Sequence, residues 1–224
     1  MIPPGLEYRP PRTRQRALIP EARDHRLFVA IEGPIGVGKT TLARLLAEPL
    51  VAEVVLEVVE DNPFLHHFYQ DIRGYAFQTQ IFFFLSRYRQ QEVLRRAREQ
   101  HRPVISDYIF AKDRLFARMN LDGQELDLYD RLFQLIAPMT PQPDLILYLT
   151  ARLDTLLRRI ALRDRPFERA IAPDYLDRLC GAYEEFFHAF EDTTVLRVDT
   201  DAVDIFRPAD LQGILRYVTE EVAG

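Results

Sequence analysis

Residues 33–40 read Gly33-Pro34-Ile35-Gly36-Val37-Gly38-Lys39-Thr40, with Thr41 following. This is the spacing G-x-x-x-x-G-K-[ST], and it lies where its mechanism requires. Residues 27–32 (LFVAIE) form a short apolar run of the kind a buried strand carries, and residues 39–48 have helical character up to Pro49. Glycines allow successive backbone N–H groups to turn inward around an anion, and the N-terminus of the following helix adds partial positive charge. In such a loop Lys39 bridges the outer phosphates of ATP and the Thr40 hydroxyl ligates Mg2+. A glycine-rich turn without function is the alternative reading.

Lysine usage supports the phosphate loop. Of the 29 basic residues only Lys39 and Lys112 are lysine. A lysine kept in a chain that otherwise uses arginine points to a need for a compact ammonium at Lys39.

Working outward, the chain alternates strands and helices. Strands are expected at residues 52–57, 103–107, 144–150 (DLILYLT) and 194–199. Helices are expected at 62–69, 74–98, 112–120, 124–137, 153–162, 173–190 and 208–222. That alternation implies an α/β fold, a parallel sheet with helices on both faces, in one domain over residues 27–224. Residues 1–26, with five prolines and arginines at 9, 12, 14 and 16, read as a flexible tail. The rivals are an arm for an anionic partner or a transit peptide.

Bulk properties exclude several classes. A formal charge of −5 gives no field for a polynucleotide or an anionic membrane. No apolar run reaches the roughly 20 residues that span a bilayer, and no signal peptide is visible. The single cysteine, Cys180, fits a reducing cytoplasm. The histidines show no metal spacing. A guanine-reading N/T-K-x-D motif is missing at both lysines, which argues against a GTPase, and motor or repair ATPases are usually larger or basic. Small kinases remain.

Gly33–Leu42, Glu57, Asn62-Pro63-Phe64-Leu65, Tyr69, Phe77-Gln78-Thr79-Gln80, Leu85-Ser86-Arg87 and the run from Arg159 to Glu168 together resemble the deoxynucleoside kinase family. The resemblance is greatest to its bacterial deoxyguanosine and deoxyadenosine kinase branch. It implies a P-loop NTPase fold with a five-stranded parallel sheet, and a homodimer packed through the 74–98 helix and the helices after Asp107. It also implies a purine deoxynucleoside as phosphate acceptor.

The resemblance assigns roles residue by residue. Glu57, in Glu57-Val58-Val59, would be the general base that takes the 5′-hydroxyl proton, with Glu60 as a close competitor. Tyr69 and Glu168 would bind the sugar 3′-hydroxyl. Gln80 and Arg87, seven apart and hence on one helix face with Phe77 and Phe84, would read the base. Arg159, Arg163 and Arg165 would form a lid over the transferring phosphoryl group. Arg159 and Arg163 repel one another at i,i+4 unless an anion intervenes. Family members commonly carry acidic-Arg-Ser after the third strand. Here Ser106-Asp107-Tyr108 keeps the acid, which would hold a magnesium-bound water, and replaces the arginine. A second base-contacting carboxylate has no evident counterpart. The Ser-Asp-Tyr form resembles the deoxyguanosine kinase branch, a resemblance that implies guanine over adenine.

Competing functions are a nucleoside monophosphate kinase, which needs further arginines for the acceptor phosphate, and a P-loop protein that binds ATP without turnover.

Overall fold

Every residue of the strands Phe28–Glu32, Val104–Ser106 and Leu145–Thr150 is buried, which requires cover on both faces of the sheet. The computed structural model describes residues 5–9 and 27–223. In chain order the elements are β1 (Leu6–Arg9), β2 (Phe28–Glu32), α1 (Lys39–Leu50), β3 (Glu53–Val55), α2 (Leu65–Phe68), α3 (Ile72–Glu99) and β4 (Val104–Ser106). There follow α4 (Lys112–Asn120), α5 (Gly123–Ile136), β5 (Leu145–Thr150), α6 (Leu153–Arg163), α7 (Pro173–Ala189), β6 (Thr194–Asp199) and α8 (Pro208–Ala223).

The strand order is β1-β6-β5-β2-β4-β3. From β6 to β3 all neighbours are parallel, and β1 runs antiparallel to β6. The strand β2 is central: β4 and β3 lie on one side, β5 and β6 on the other. The chain leaves β2 where the winding reverses, so a crevice opens at its carboxyl end. The phosphate loop occupies that crevice.

The sheet therefore has six strands, not five, and is mixed. The added strand also corrects the tail reading, because Leu6–Arg9 lies within it. Leu6 pairs with Val198 and is buried, and the Arg9 guanidinium donates to the carbonyl of Phe187 at 3.0 Å. Just before the strand, the Gly5 carbonyl accepts from Asp199 at 2.9 Å. Residues 10–26 lie outside the described residues. Deleting residues 1–9 is expected to destabilise the protein, since the edge of β6 loses its partner and Leu6 its burial. Burying one leucine contributes about 2 kcal/mol, so Tm should fall by roughly 4–8 °C. An unchanged thermal transition would contradict this.

Two boundaries differ instructively. Pro49 sits inside the last turn of α1 and does not stop it; the helix closes at Val51, in the left-handed region at φ 49. Helix α3 starts before Gly74 because the Asp71 carboxylate accepts from the Gly74 N–H at 3.0 Å and caps it.

Candidate active site

The phosphate loop needs its glycines for steric reasons. At Gly33, φ is 147 and an added Cβ would lie 2.3 Å from the Leu149 carbonyl oxygen of β5. At Gly36, φ is 85 and the same atom would press on Ile160 and on the Leu156 carbonyl of α6 at 2.9–3.0 Å. The loop is thus seated directly on β5 and α6. Lys39 curls back over it, donating to the carbonyls of Gly33 at 2.6 Å and Pro34 at 3.1 Å. Burial, with help from Lys112, lowers its pKa to about 8.

Asp107, just after β4, joins the loop to Glu57. One oxygen accepts from the Thr40 hydroxyl at 2.5 Å and the other from the Glu57 backbone N–H at 2.6 Å. Glu57 follows β3 and is 12% exposed, whereas Glu60 is 69% exposed and faces Arg165 at 3.5 Å. Arg87 of α3 donates to Glu57 Oε1 through both Nε, at 2.7 Å, and a terminal nitrogen. Lys112 of α4 donates to Oε2 at 2.9 Å. Burial alone would raise the pKa of this carboxyl, but Arg87 and Lys112 outweigh it and hold the group well below the usual range.

Gln80 and Arg87 do share a face of α3, and both reach Asp113. Arg87 pairs with its carboxylate, and Gln80 donates to the same oxygen and, at 2.9 Å, to the Asp113 backbone carbonyl. Burial pushes the Asp113 carboxyl up to about 6, against the pull of Arg87. Asp113 thus places a carboxylate beside the glutamine–arginine pair, at a position that sequence reasoning did not single out. The aromatic partner is corrected. Phe84 is buried between Phe110 and Tyr129, at ring distances of 5.5 and 5.7 Å. It is Phe83 that lines the cleft, with the Arg87 guanidinium 4.9 Å from its ring centre.

Lys39, Thr40, Glu57, Tyr69, Arg87, Asp107, Arg163, Arg165 and Glu168 all line one cleft of about 380 Å³. Gln80 is not in its wall; it stands behind Arg87, bonded to Asp113. On the lid side, Arg163 holds the buried Glu168 by two bonds of 2.6 and 3.0 Å, and Arg165 lies 3.9 Å from the same carboxylate. The Tyr69 ring packs edge-on against Tyr175 at 5.8 Å. Arg159 lies apart from these. It donates to the carbonyls of Val37 and Thr200, at 3.2 and 3.0 Å, and lines an adjoining cleft of about 420 Å³ with Gly36, Gly38, Thr41 and residues 200–206. The like charges at 159 and 163 are thus separated by different acceptors.

Sequence reasoning passed over Lys112, Asp113 and Glu32. The first carried a signal: it is one of two lysines in the chain, and the argument that singled out Lys39 applies to it equally.

A P-loop seated at the centre of a parallel sheet, with a buried glutamate and a second cleft beside it, defines a small-molecule kinase. Residues 29–223 match the family described as deoxynucleoside kinase. The chain is 39% identical over 199 residues to a deoxyguanosine kinase of Bacillus subtilis (strain 168), covering 86% of this chain and 96% of the relative. It is 39% identical over 161 residues to a deoxyadenosine kinase of Dictyostelium discoideum, covering 70% of this chain and 65% of the relative. The solved structure of a deoxyadenosine kinase from M. mycoides with bound dATP superposes with a TM-score of 0.75 at 26% identity, over 86% of this chain and all of that one. The chain belongs to the deoxynucleoside kinase family. It is a phosphotransferase with ATP as donor. None of the helices among the described residues is long and apolar enough to cross a membrane.

Proposed function

We propose that the enzyme transfers the γ-phosphoryl group of ATP to the 5′-hydroxyl of a purine deoxynucleoside, with deoxyguanosine preferred, in nucleotide salvage in the cytoplasm. The observation that carries this is the position of Glu57: it faces one cleft whose other walls are the phosphate loop and the Arg87 side of the Arg87–Asp113 pair. The names of the Bacillus and Dictyostelium relatives support a purine. An acceptor panel of deoxynucleosides and monophosphates tests it.

In this reading the 5′-hydroxyl lies between Glu57 and the phosphate loop. Glu57 is ionised throughout the neutral range and accepts the proton as the oxygen attacks phosphorus. Lys39 and the loop N–H groups hold the outer phosphates, and Arg163 and Arg165 neutralise charge on the transferring group. Tyr69 and Glu168 bind the 3′-hydroxyl. Glu168 is already paired with Arg163, so a sugar hydroxyl that takes a bond from it frees the arginine for phosphate. The cleft bounded by Arg159 and residues 200–206 would take the donor base.

Thr40 and Asp107 fit a magnesium site, since a hydroxyl and a carboxylate oxygen meet beside the loop. Mg2+, when bound there, would offset the charge of the phosphates.

Arg87 presents donors to the purine edge and Phe83 a face for stacking, with Asp113 buried behind Arg87. Arg87 also holds Glu57, so Arg87→Ala is expected to impair both chemistry and selection. Gln80 is the cleaner probe. Gln80→Ala releases Asp113 and leaves buried polar atoms unpaired, a cost of roughly 1–3 kcal/mol, or about 5–150-fold in kcat/KM. ATP affinity should stay within about twofold. Equal losses on deoxyguanosine, deoxyadenosine, deoxycytidine and thymidine would contradict a role in base selection.

A homodimer fits the surface. Leu85 and Tyr88 of α3 and Leu128 and Leu135 of α5 are exposed apolar side chains on the elements that the family resemblance assigns to the interface. Light scattering at micromolar concentration should give twice the chain mass; a monomer mass would refute it.

A further inference from the structure

Lys112 stands in the first turn of α4 and is 2% exposed, an unusual place for a lysine. Its ammonium lies 2.9 Å from Glu57 Oε2 and 3.4 Å from Glu32 Oε1. Glu32, the last residue of β2, is itself fully buried and fixed. It accepts from the Gly33 N–H at 3.0 Å, the Ile109 N–H at 2.9 Å and the Tyr183 hydroxyl at 3.0 Å. Those donors come from the phosphate loop, the β4–α4 connection and α7, so Glu32 is a rigid anchor. From it the charges alternate: Glu32, Lys112, Glu57, Arg87, Asp113. One continuous line runs from the start of the phosphate loop to the base-side carboxylate.

Arg87 alone already neutralises Glu57 through Oε1. Lys112 adds a hold on the other oxygen from the opposite side. With both oxygens pinned, the carboxylate cannot rotate about its last bond, and the one lone pair left, on Oε2, keeps its direction. We propose that Lys112 is a positioning residue for Glu57: braced by Glu32, its ammonium aims the carboxylate that takes the acceptor proton. The proposal rests on the reading of Glu57 as the base. A buried lysine would ordinarily lose its proton, but the two glutamates keep this one charged, which the bracing requires.

A role confined to folding would act independently of Glu57, and a double-mutant cycle separates the two. Turnover and KM for ATP and deoxyguanosine are measured for Lys112→Met and Lys112→Arg, each with Glu57 and with Glu57→Gln. With Glu57 present, Lys112→Met should lower kcat by about 10–100-fold and leave both KM values within about threefold, because misaiming affects the transition state more than binding. Lys112→Arg should keep more of kcat. With Glu57→Gln, either lysine substitution should change kcat by less than about twofold. If Lys112→Met does not fold, the arginine variant carries the cycle: its loss must likewise vanish without Glu57. Equal losses in both backgrounds, or a loss confined to KM, would overturn the proposal while leaving Glu57 as the base. Normal turnover in Glu57→Gln alone would overturn the base reading and this one with it.

Discussion

Lys39→Ala is expected to reduce phosphoryl transfer by about 10³-fold or more while the protein stays folded. The loss follows from position: the ammonium lies over the loop, within 2.6–3.1 Å of the Gly33 and Pro34 carbonyls, and no other cationic side chain among the described residues donates to those carbonyls. Removing one preorganised donor from a developing oxyanion costs about 10²–10³-fold, and here a full charge is lost as well. Fold retention follows from electrostatics. Burial lowers the Lys39 pKa from 10.5 to about 8, so the charged form costs stability below pH 8, and that cost is relieved as pH rises from 8 toward 10.5. Alanine removes the cost at neutral pH. Lys39→Arg should also be severely impaired, because a planar guanidinium does not fit a cradle closed by glycines packed on Leu149 and Ile160. Single-turnover ADP formation, with circular dichroism as the control, measures both. Near-normal turnover in the arginine variant would contradict the account of the loop.

Glu57→Gln should lower kcat by about 10²–10⁴-fold with little change in nucleoside affinity, because the proton acceptor is lost while the shape is kept. Glu60→Gln should be mild: Glu60 is 69% exposed and, among the described residues, pairs with Arg165 at 3.5 Å. The glutamine variant will also be less stable, since Arg87 and Lys112 lose the anion between them. Breaking a buried pair in this way costs about 3–5 kcal/mol. The sign follows from the depressed pKa. Stability from ionised Glu57 is fully present above the ordinary carboxylate value and is lost only as pH falls toward the depressed one, so the wild-type advantage should persist across neutral pH. The reverse pattern, with Glu60→Gln inactive, would move the role to Glu60.

The parallel core of the sheet was legible because its strands are short apolar runs with helices between them, and the phosphate loop marks its centre. Strand β1 was not. Leu6–Arg9 has one fully buried side chain in four residues and prolines on both sides, so it carries no alternation strong enough to separate it from a tail. Residues of the site fall into two groups. Lys39 and Thr40 open the helix that follows the phosphate loop, and Glu57 and Asp107 lie just after strands, where local pattern and function coincide. Lys112 and Asp113 open a helix with consecutive charges, which ordinarily marks a solvated first turn. Their partners, Glu57, Glu32 and Arg87, are 26–80 residues distant, and only the packing of α4 on α3 and the sheet brings them together. Phe83 and Phe84 are neighbours on one helix, and helical periodicity could not choose between them.

The central claim is best tested by ADP release with each acceptor in turn: deoxyguanosine, deoxyadenosine, deoxycytidine, thymidine and the matching monophosphates. The account predicts purine deoxynucleosides well ahead of pyrimidines, deoxyguanosine first, and no release above background with monophosphates. Faster release with monophosphates, or none with any acceptor from folded, ATP-binding protein, would contradict it.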